Sequence, residues 1–266
     1  MLITTREDYE RHYFIDALGR HKAHYQGLEL SSAFQPIFDH NMKVFGLEGL
    51  LRVVDMKTQQ SIPPNRVLNM AQGDFSDVLN IDRLSRAIHL RNFATLNTSN
   101  VRIFLNMLPI SGEYNMRKEI HVGLMLQRLS EMGISKDNVI FELIETASLN
   151  DELLSSATAY LKNAHFQVAI DDYGTGESNF NRIKLVYPDI IKIDRSMLHA
   201  FCQGQSLLLN EVIQYAQVFE AKTVIEGIET RSELEQIEHL GIDYYQGFFL
   251  GKPQDILDVS RTLYQY

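Results

Sequence analysis

One cysteine, Cys202, stands alone in 266 residues. No intrachain disulfide can form, which fits a reducing compartment. Long apolar runs are absent. Nothing approaches the ~18 residues of a membrane helix, and no apolar stretch of a secretory leader opens the chain. A cytoplasmic protein without a membrane segment is expected. Basic residues are scarce, 25 Lys and Arg against 34 Asp and Glu, for a net charge of −9. That balance excludes broad binding of nucleic acid polymers, which requires a basic surface. A polyanionic substrate then needs metal ions or a few placed cations. No GxGxxG or GxxxxGK[ST] follows a predicted strand, so dinucleotide and P-loop sites lack their signature. The nine histidines are scattered and none has a Ser or Cys partner. Apolar residues, at 45%, are enough for a sizeable core, and the length suits one large domain or two small ones.

What is present is a repeated alternation of strands and helices. Residues 1–30 differ in character from the rest. Tyr9, Tyr13, Phe14 and Leu18 sit at near-helical spacing among charges, which predicts an amphipathic helix in an N-terminal helical extension, docked on the main domain, with a helix that binds a protein partner as the alternative. From residue 31 onward the pattern is regular. Ala33–Phe38 reads as a strand with a proline, hence at an edge or end. Further strands are predicted at Val44–Leu51, Val101–Asn106, Val139–Ile144, Val168–Asp172, Ile190–Ile193, Thr223–Glu226 and Tyr244–Gln246. Helical spacing lies between them, as in Ile81, Leu84, Ile88 and Phe93, or Leu209, Val212, Ile213 and Ala216. Such units predict a parallel α/β fold, barrel or open sheet, and the length matches a typical (β/α)8 barrel.

Nearly every predicted strand ends on a polar residue: Glu48, Asn106, Glu142, Asp171 with Asp172, Lys192, Glu226 and Gln246. In an α/β barrel those ends share one face, where active sites are built. Carboxylates and a side-chain carbonyl are hard oxygen donors suited to Mg²⁺ or Mn²⁺, and no Cys or His joins them to favour zinc. Adjacent Asp171 and Asp172 could flank two ions, the arrangement that serves phosphoryl displacement. Lys192 could position a water or stabilise developing charge. The residues therefore predict metal-dependent hydrolysis of a phosphate ester. A metal-free glycosidase with two carboxylates is the rival; Asn106, Lys192 and the aspartate pair favour metal.

The chain resembles the EAL-domain cyclic-di-GMP phosphodiesterases from about Ser31 to Pro253. The match runs through Phe34-Gln35-Pro36-Ile37, Gly46-Leu47-Glu48-Gly49-Leu50-Leu51-Arg52, Asn106 and Phe141-Glu142-Leu143-Ile144-Glu145. It continues in Asp171-Asp172-Tyr173-Gly174-Thr175-Gly176, Ile191-Lys192-Ile193-Asp194, Glu226-Gly227-Ile228-Glu229-Thr230 and Gln246-Gly247. The resemblance implies a modified TIM (β/α)8 barrel with one antiparallel strand over residues 31–266, acting as a homodimer that opens cyclic-di-GMP to linear pGpG. It implies that Glu48, Asn106, Glu142 and Asp171 ligate metal, with Asp172 serving a second ion. Lys192 and Glu226 would place or activate the attacking water, with Gln246 beside them. Gln35 and Arg52 would contact substrate, and Glu145 would anchor the loop after Asp172. A receptor that binds without turnover is the alternative; such relatives lose the acids or the lysine, and this chain keeps them. There is no room for a complete cyclase or sensory domain, so a stand-alone protein or an excised domain is expected.

Three departures stand inside these motifs: Gly49 for alanine, Ile144 for threonine, and Tyr173 with Glu177 in the loop. Alternation turns residue 49 away from the mouth. On that basis alone a methyl at Gly49 is expected to be silent in turnover and mildly stabilising.

Overall fold

The computed structural model describes residues 2–69, 74–108, 120–143, 151–175 and 180–263. Ile144, Glu145, Gly176 and Glu177 fall outside them. Among the described residues no helix is long and apolar enough to cross a membrane.

The chain opens with α1 (Arg6–His12), then β1 (Tyr13–Ile15), β2 (His21–Tyr25), β3 (Leu28–Asp39), β4 (Val44–Asp55), β5 (Ser61–Ile62), α2 (Pro64–Val67) and α3 (Phe75–Ala94). After these, strands and helices alternate: β6 (Arg102–Met107), α4 (Ile120–Glu131), β7 (Val139–Leu143), α5 (Asp151–Asn163), β8 (Gln167–Tyr173), α6 (Phe180–Val186), β9 (Ile190–Ile193), α7 (Arg195–Cys202) and α8 (Leu207–Val218). The chain closes with β10 (Lys222–Ile225), α9 (Arg231–Ile237), β11 (Tyr244–Tyr245) and α10 (Ile256–Leu263). Strands β4 and β6 to β11 pair in parallel, each with the next. Strand β3 runs antiparallel to β4 on one side and β11 on the other, closing eight strands into a barrel. The fold is the modified TIM barrel with one reversed strand.

Two corrections concern the start of the chain. The helix stops at His12, and Tyr13, Phe14 and Ile15 form a strand paired with His21–Ala23. Asp16 turns the chain: its carboxylate accepts from the N–H groups of Leu18 and Arg20, and Gly19 sits at φ +81°. Leu18, expected on the helix face, is exposed in that turn. The second correction is Pro36. It lies inside the closed barrel, not at an edge, between the Phe34–Gln254 bridge and the Phe38–Tyr245 pair. The ladder gap there is filled by the approach of Gly251, where a Cβ would come 2.4 Å from the proline ring.

The N-terminal segment is packed into the domain. Ile3, Ala23 and Tyr25 are buried with Leu30, Val53, Ile81, Leu84 and Ile88 on the extended β3–β4 hairpin and α3. Buried polar residues of α3 hold this cover down. Asn80 accepts from the Ile3 N–H at 2.8 Å, Arg83 donates to the Ile3 carbonyl at 2.8 Å, and Asn92 accepts from the His21 N–H at 2.8 Å. Burying Ile3 and Tyr25 contributes roughly 3–6 kcal/mol. Deletion of residues 1–25 is therefore expected to lower the melting temperature by about 10 °C or more, or to leave the protein insoluble. An unchanged melting curve for the truncated protein would show that the segment is dispensable.

Gly49 faces α3, as alternation requires, but the space is already taken. A Cβ there would lie 3.1 Å from Cγ and Cδ2 of His89. That ring is buried, bonded through Nδ1 to Ser32 Oγ at 2.7 Å, and set edge-on to Phe34. Burial pushes the His89 pKa down to about 3, so the ring is a neutral packing group. The entropic gain of Gly→Ala, about 0.5–1 kcal/mol, is outweighed by overpacking of about 1–3 kcal/mol. Gly49→Ala is expected to lower the melting temperature by a few degrees and leave turnover within a few-fold. A raised melting temperature would refute the clash.

Candidate active site

The barrel interior is plugged by one apolar layer: Ile37, Phe104, Ile140, Ala169, Ile190 and Val224, with Tyr244 beside them. Side chains two apart on a strand share a face. Two residues beyond Phe104 comes Asn106; beyond Ile140, Glu142; beyond Ala169, Asp171; beyond Ile190, Lys192; beyond Val224, Glu226; and beyond Tyr244, Gln246. Glu48 follows Gly46 in the same way. A Cβ on Gly46 would meet the Phe104 ring at 2.7 Å, so glycine makes room for the plug. On the reversed strand the count runs backwards: Gln35 precedes Ile37 by two and pairs with Glu48. One apolar layer thus carries a polar layer directly above it.

Asp172 breaks this alternation. Its φ is +50°, and the β8–β9 register slips between Ile170 and Tyr173. Aspartate tolerates this left-handed conformation better than most residues. The slip brings two consecutive carboxylates to one site, with an oxygen of each of Asp171, Asp172 and Glu226 mutually within 4.8 Å.

Lys192 is the hub. Its side chain is 1% exposed, and Nζ lies 2.7 Å from Glu142, 2.7 Å from Glu226, 2.8 Å from Asp171 and 3.6 Å from Glu48. Burial alone would lower its pKa. The surrounding carboxylates outweigh burial and hold it well above the ordinary lysine value. Burial pushes Glu142 well above the carboxylate range and Glu226 up to about 8, against the pull of Lys192. Burial, with the charge of Asp171, takes Asp172 up to about 6. Five carboxylates face one ammonium, so the site holds surplus negative charge that further cations would relieve. Glu142 Oε2 and Gln246 Oε1 are buried and accept no hydrogen bond among the described residues. With the all-oxygen donor set, these orphaned atoms fit divalent ions of the Mg²⁺ or Mn²⁺ type.

Gln246 donates to Glu48 Oε2 at 2.7 Å, and Asn106 reaches Glu48 Oε1 at 3.4 Å. A cleft of about 300 Å³ opens above, lined by Gln35, Leu50, Asp171, Asp172, Glu226 and Gln246 among others. Gln35 donates to the Gly251 carbonyl. Arg52 stands apart. It follows Leu50 on the same strand face, does not line the cleft, and donates to the Leu51 carbonyl at 3.0 Å. Glu145 lies outside the described residues. Sequence reasoning passed over Arg195 and Glu229, which line the cleft as a 2.8 Å ion pair. Their signal was available: Arg195 directly follows the Lys192 motif, Glu229 lies inside the Glu226 motif, and the nearby glycines are forced. Gly227 has φ +72° with Arg195 against it, and a Cβ on Gly247 would lie 2.1 Å from the Ile228 carbonyl.

Residues 21–253 match the EAL domain family. The chain is 27% identical over 237 residues to the probable cyclic di-GMP phosphodiesterase PdeN of Escherichia coli, covering 87% of this chain and 45% of that protein. It is 26% identical over 215 residues to the cyclic di-GMP phosphodiesterase PdeA of Borreliella burgdorferi, covering 79% and 31%. The chain therefore spans less than half of these curated relatives. Two solved structures share the fold. A standalone EAL protein of Vibrio cholerae bound to c-di-GMP superposes with a TM-score of 0.74 at 21% identity, covering 87% of this chain and 95% of that one. Klebsiella pneumoniae BlrP1, in a complex with manganese and cyclic di-GMP, gives 0.71 at 24% identity, covering 88% and 58%. With a family match over most of its length, a barrel of the same architecture and the acids gathered at its mouth, the chain belongs to the EAL domain family.

Proposed function

We propose that this chain hydrolyses cyclic-di-GMP to linear pGpG with the help of divalent metal ions. One observation carries the reading: a fully buried lysine among four carboxylates, with a fifth at the rim and a buried acid oxygen left without a partner. Glu48, Asn106, Glu142 and Asp171 would hold one ion, and Asp172, with Asp171, a second. When bound, such ions supply Lewis-acid stabilisation of phosphoryl oxygens and a more acidic water. The protein's own groups do the rest. Glu226 is the base: its Oε2 accepts the proton of the attacking water, and a pKa raised by burial suits that task near neutral pH. Lys192 holds Glu226 through Oε1 at 2.7 Å and faces the charge that develops at phosphorus. Gln246 keeps Glu48 oriented. Gln35 meets the substrate, and Arg52 contacts a phosphate from further along its strand.

Incubation with cyclic-di-GMP and Mg²⁺ or Mn²⁺, followed by chromatography, is expected to yield pGpG. Excess EDTA is expected to abolish the product. Ca²⁺ is expected to support turnover poorly, because it prefers longer bonds and more ligands. Binding without pGpG would replace the enzyme by a receptor, and full activity in EDTA would remove the metal from the reading.

A further inference from the structure

A second cavity lies outside the barrel, in the helix layer between α1, α3, α4 and α5. It measures about 160 Å³ and shares no lining residue with the catalytic cleft. Its chemistry runs against that of the chain. The protein carries a net charge of −9, yet Arg6, Arg83, Arg86, Arg91 and Arg128 line this cavity, with Glu131 the single acid among its described lining residues.

Most of these guanidinium groups are held. Arg86 pairs with Asp82 at 2.6 Å, Arg83 donates to the Ile3 carbonyl, and Arg91 meets Glu10 at 2.5 Å. Arg128 is different. It lies 4.7 Å from the centre of the Tyr9 ring, and its Nη2 is buried with no hydrogen-bond partner among the described residues. That nitrogen is closed to a ligand as it is to water, so an anion in the cavity meets the guanidinium through its other nitrogens. Burial, reinforced by the charges of Arg91 and Arg6, lowers its pKa. The rest of the wall is apolar and adaptable: Met107, Met125, Met132, Leu90 and Phe166. Methionine moulds itself to varied apolar shapes. A planar guanidinium fork matches the two oxygens of a carboxylate or phosphate.

We propose that this cavity binds a small amphipathic anion, an apolar chain or ring ending in a carboxylate or phosphate. The head sits on Arg128 and the body against the methionines. Arg86 also reaches the Asn106 carbonyl at 3.5 Å, so the cavity wall and the catalytic rim share a side chain.

Calorimetry and melting curves on the full chain, with hexanoate, hexyl phosphate and hexanol as probes, test this site. At least one of the two anions is expected to bind and raise the melting temperature, and the stronger of the two identifies the head group. Hexanol is expected to bind at least about tenfold more weakly, as is the better anion to Arg128→Leu. Met125→Glu places a carboxylate beside Arg128 and is expected to abolish anion binding in a folded protein. Failure of both anions at millimolar concentration, equal binding of hexanol, or undiminished affinity in both variants would overturn the site. None of these readouts depends on turnover of cyclic-di-GMP.

Discussion

Lys192→Met is expected to abolish turnover and to unfold about 10 °C below the parent protein in the absence of metal. The substitution keeps an unbranched stem reaching to Cε, with sulfur in place of Cδ, and removes the ammonium. Glu142 is then left at 0% exposure, and Glu226 and Asp171 lose a partner at 2.7 and 2.8 Å. Breaking a buried ion pair from one side costs roughly 3–5 kcal/mol. For a chain of this size that corresponds to about 2–4 °C per kcal/mol. The stranded acids can escape by taking protons, which is easier at low pH. The loss of stability is therefore expected to be larger at pH 8 than at pH 5, and added Mn²⁺ is expected to restore part of it. Melting curves at the two pH values, run beside a pGpG assay, decide the matter. Near-normal turnover, or a loss that ignores pH, would show that Lys192 is not the counter-charge of the site.

Glu226→Gln is expected to lose about 10²–10⁴-fold in turnover while binding of cyclic-di-GMP changes little, because it removes the proposed base and keeps the shape. It carries a second signature in metal-free protein. The folded pKa of Glu226 is raised from the ordinary 4.5 to about 8 by burial. Between those values the folded state holds a proton that the unfolded state has released. The stability from this group is fully present below about pH 4.5 and is lost as pH rises toward 8. Glu142 and Asp172 shift in the same direction. The parent protein in EDTA is thus expected to melt at lower temperature as pH increases from 5 to 8. Glu226→Gln is expected to flatten that slope. A variant with ordinary turnover and an unaltered slope would take the base assignment with it.

How much of this was written in the sequence depends on the range of the interaction. The polar layer was legible because it follows a local rule: an apolar residue inside a strand, then a polar one two positions on, repeated around the barrel. The convergence of Asp171 and Asp172 was not legible in the same way. It needs a positive φ at Asp172 and a slip against β9, and two adjacent strand residues otherwise point apart. The N-terminus misled because Tyr9 and Tyr13 keep helical spacing across a boundary set by the Asp16 turn. Pro36 read as an edge marker because the gap that accommodates it is made by Gly251, more than 200 positions away in the chain. The meeting of Gly49 with His89 is equally non-local, and it reverses the sign of an effect that propensity alone would assign. Arg195 at the start of α7 and Glu229 in the connection after β10 pair across two β–α units, which spacing does not reveal.

The reversed strand also sets where the barrel opens. β3 and β4 form one long hairpin with eleven paired positions, joined by a short turn. Its contacts are local and need little loop closure. Among the described residues the other side of β3 meets β11 at two positions, with one further bridge at Phe34 and Gln254. The partners across that seam come from opposite ends of the chain, and the Gln246–Glu48 bond spans 198 residues. Amide hydrogens of β11 are therefore expected to exchange with deuterium sooner than those of β6 and β7, through partial openings that leave the hairpin intact. Glu48 stands on the hairpin and Gln246 on the far bank of the seam. A divalent ion held by Glu48 would also fix the Gln246 bond across the seam and is expected to slow that exchange, so the β11 amides offer a test of metal binding without any assay of turnover.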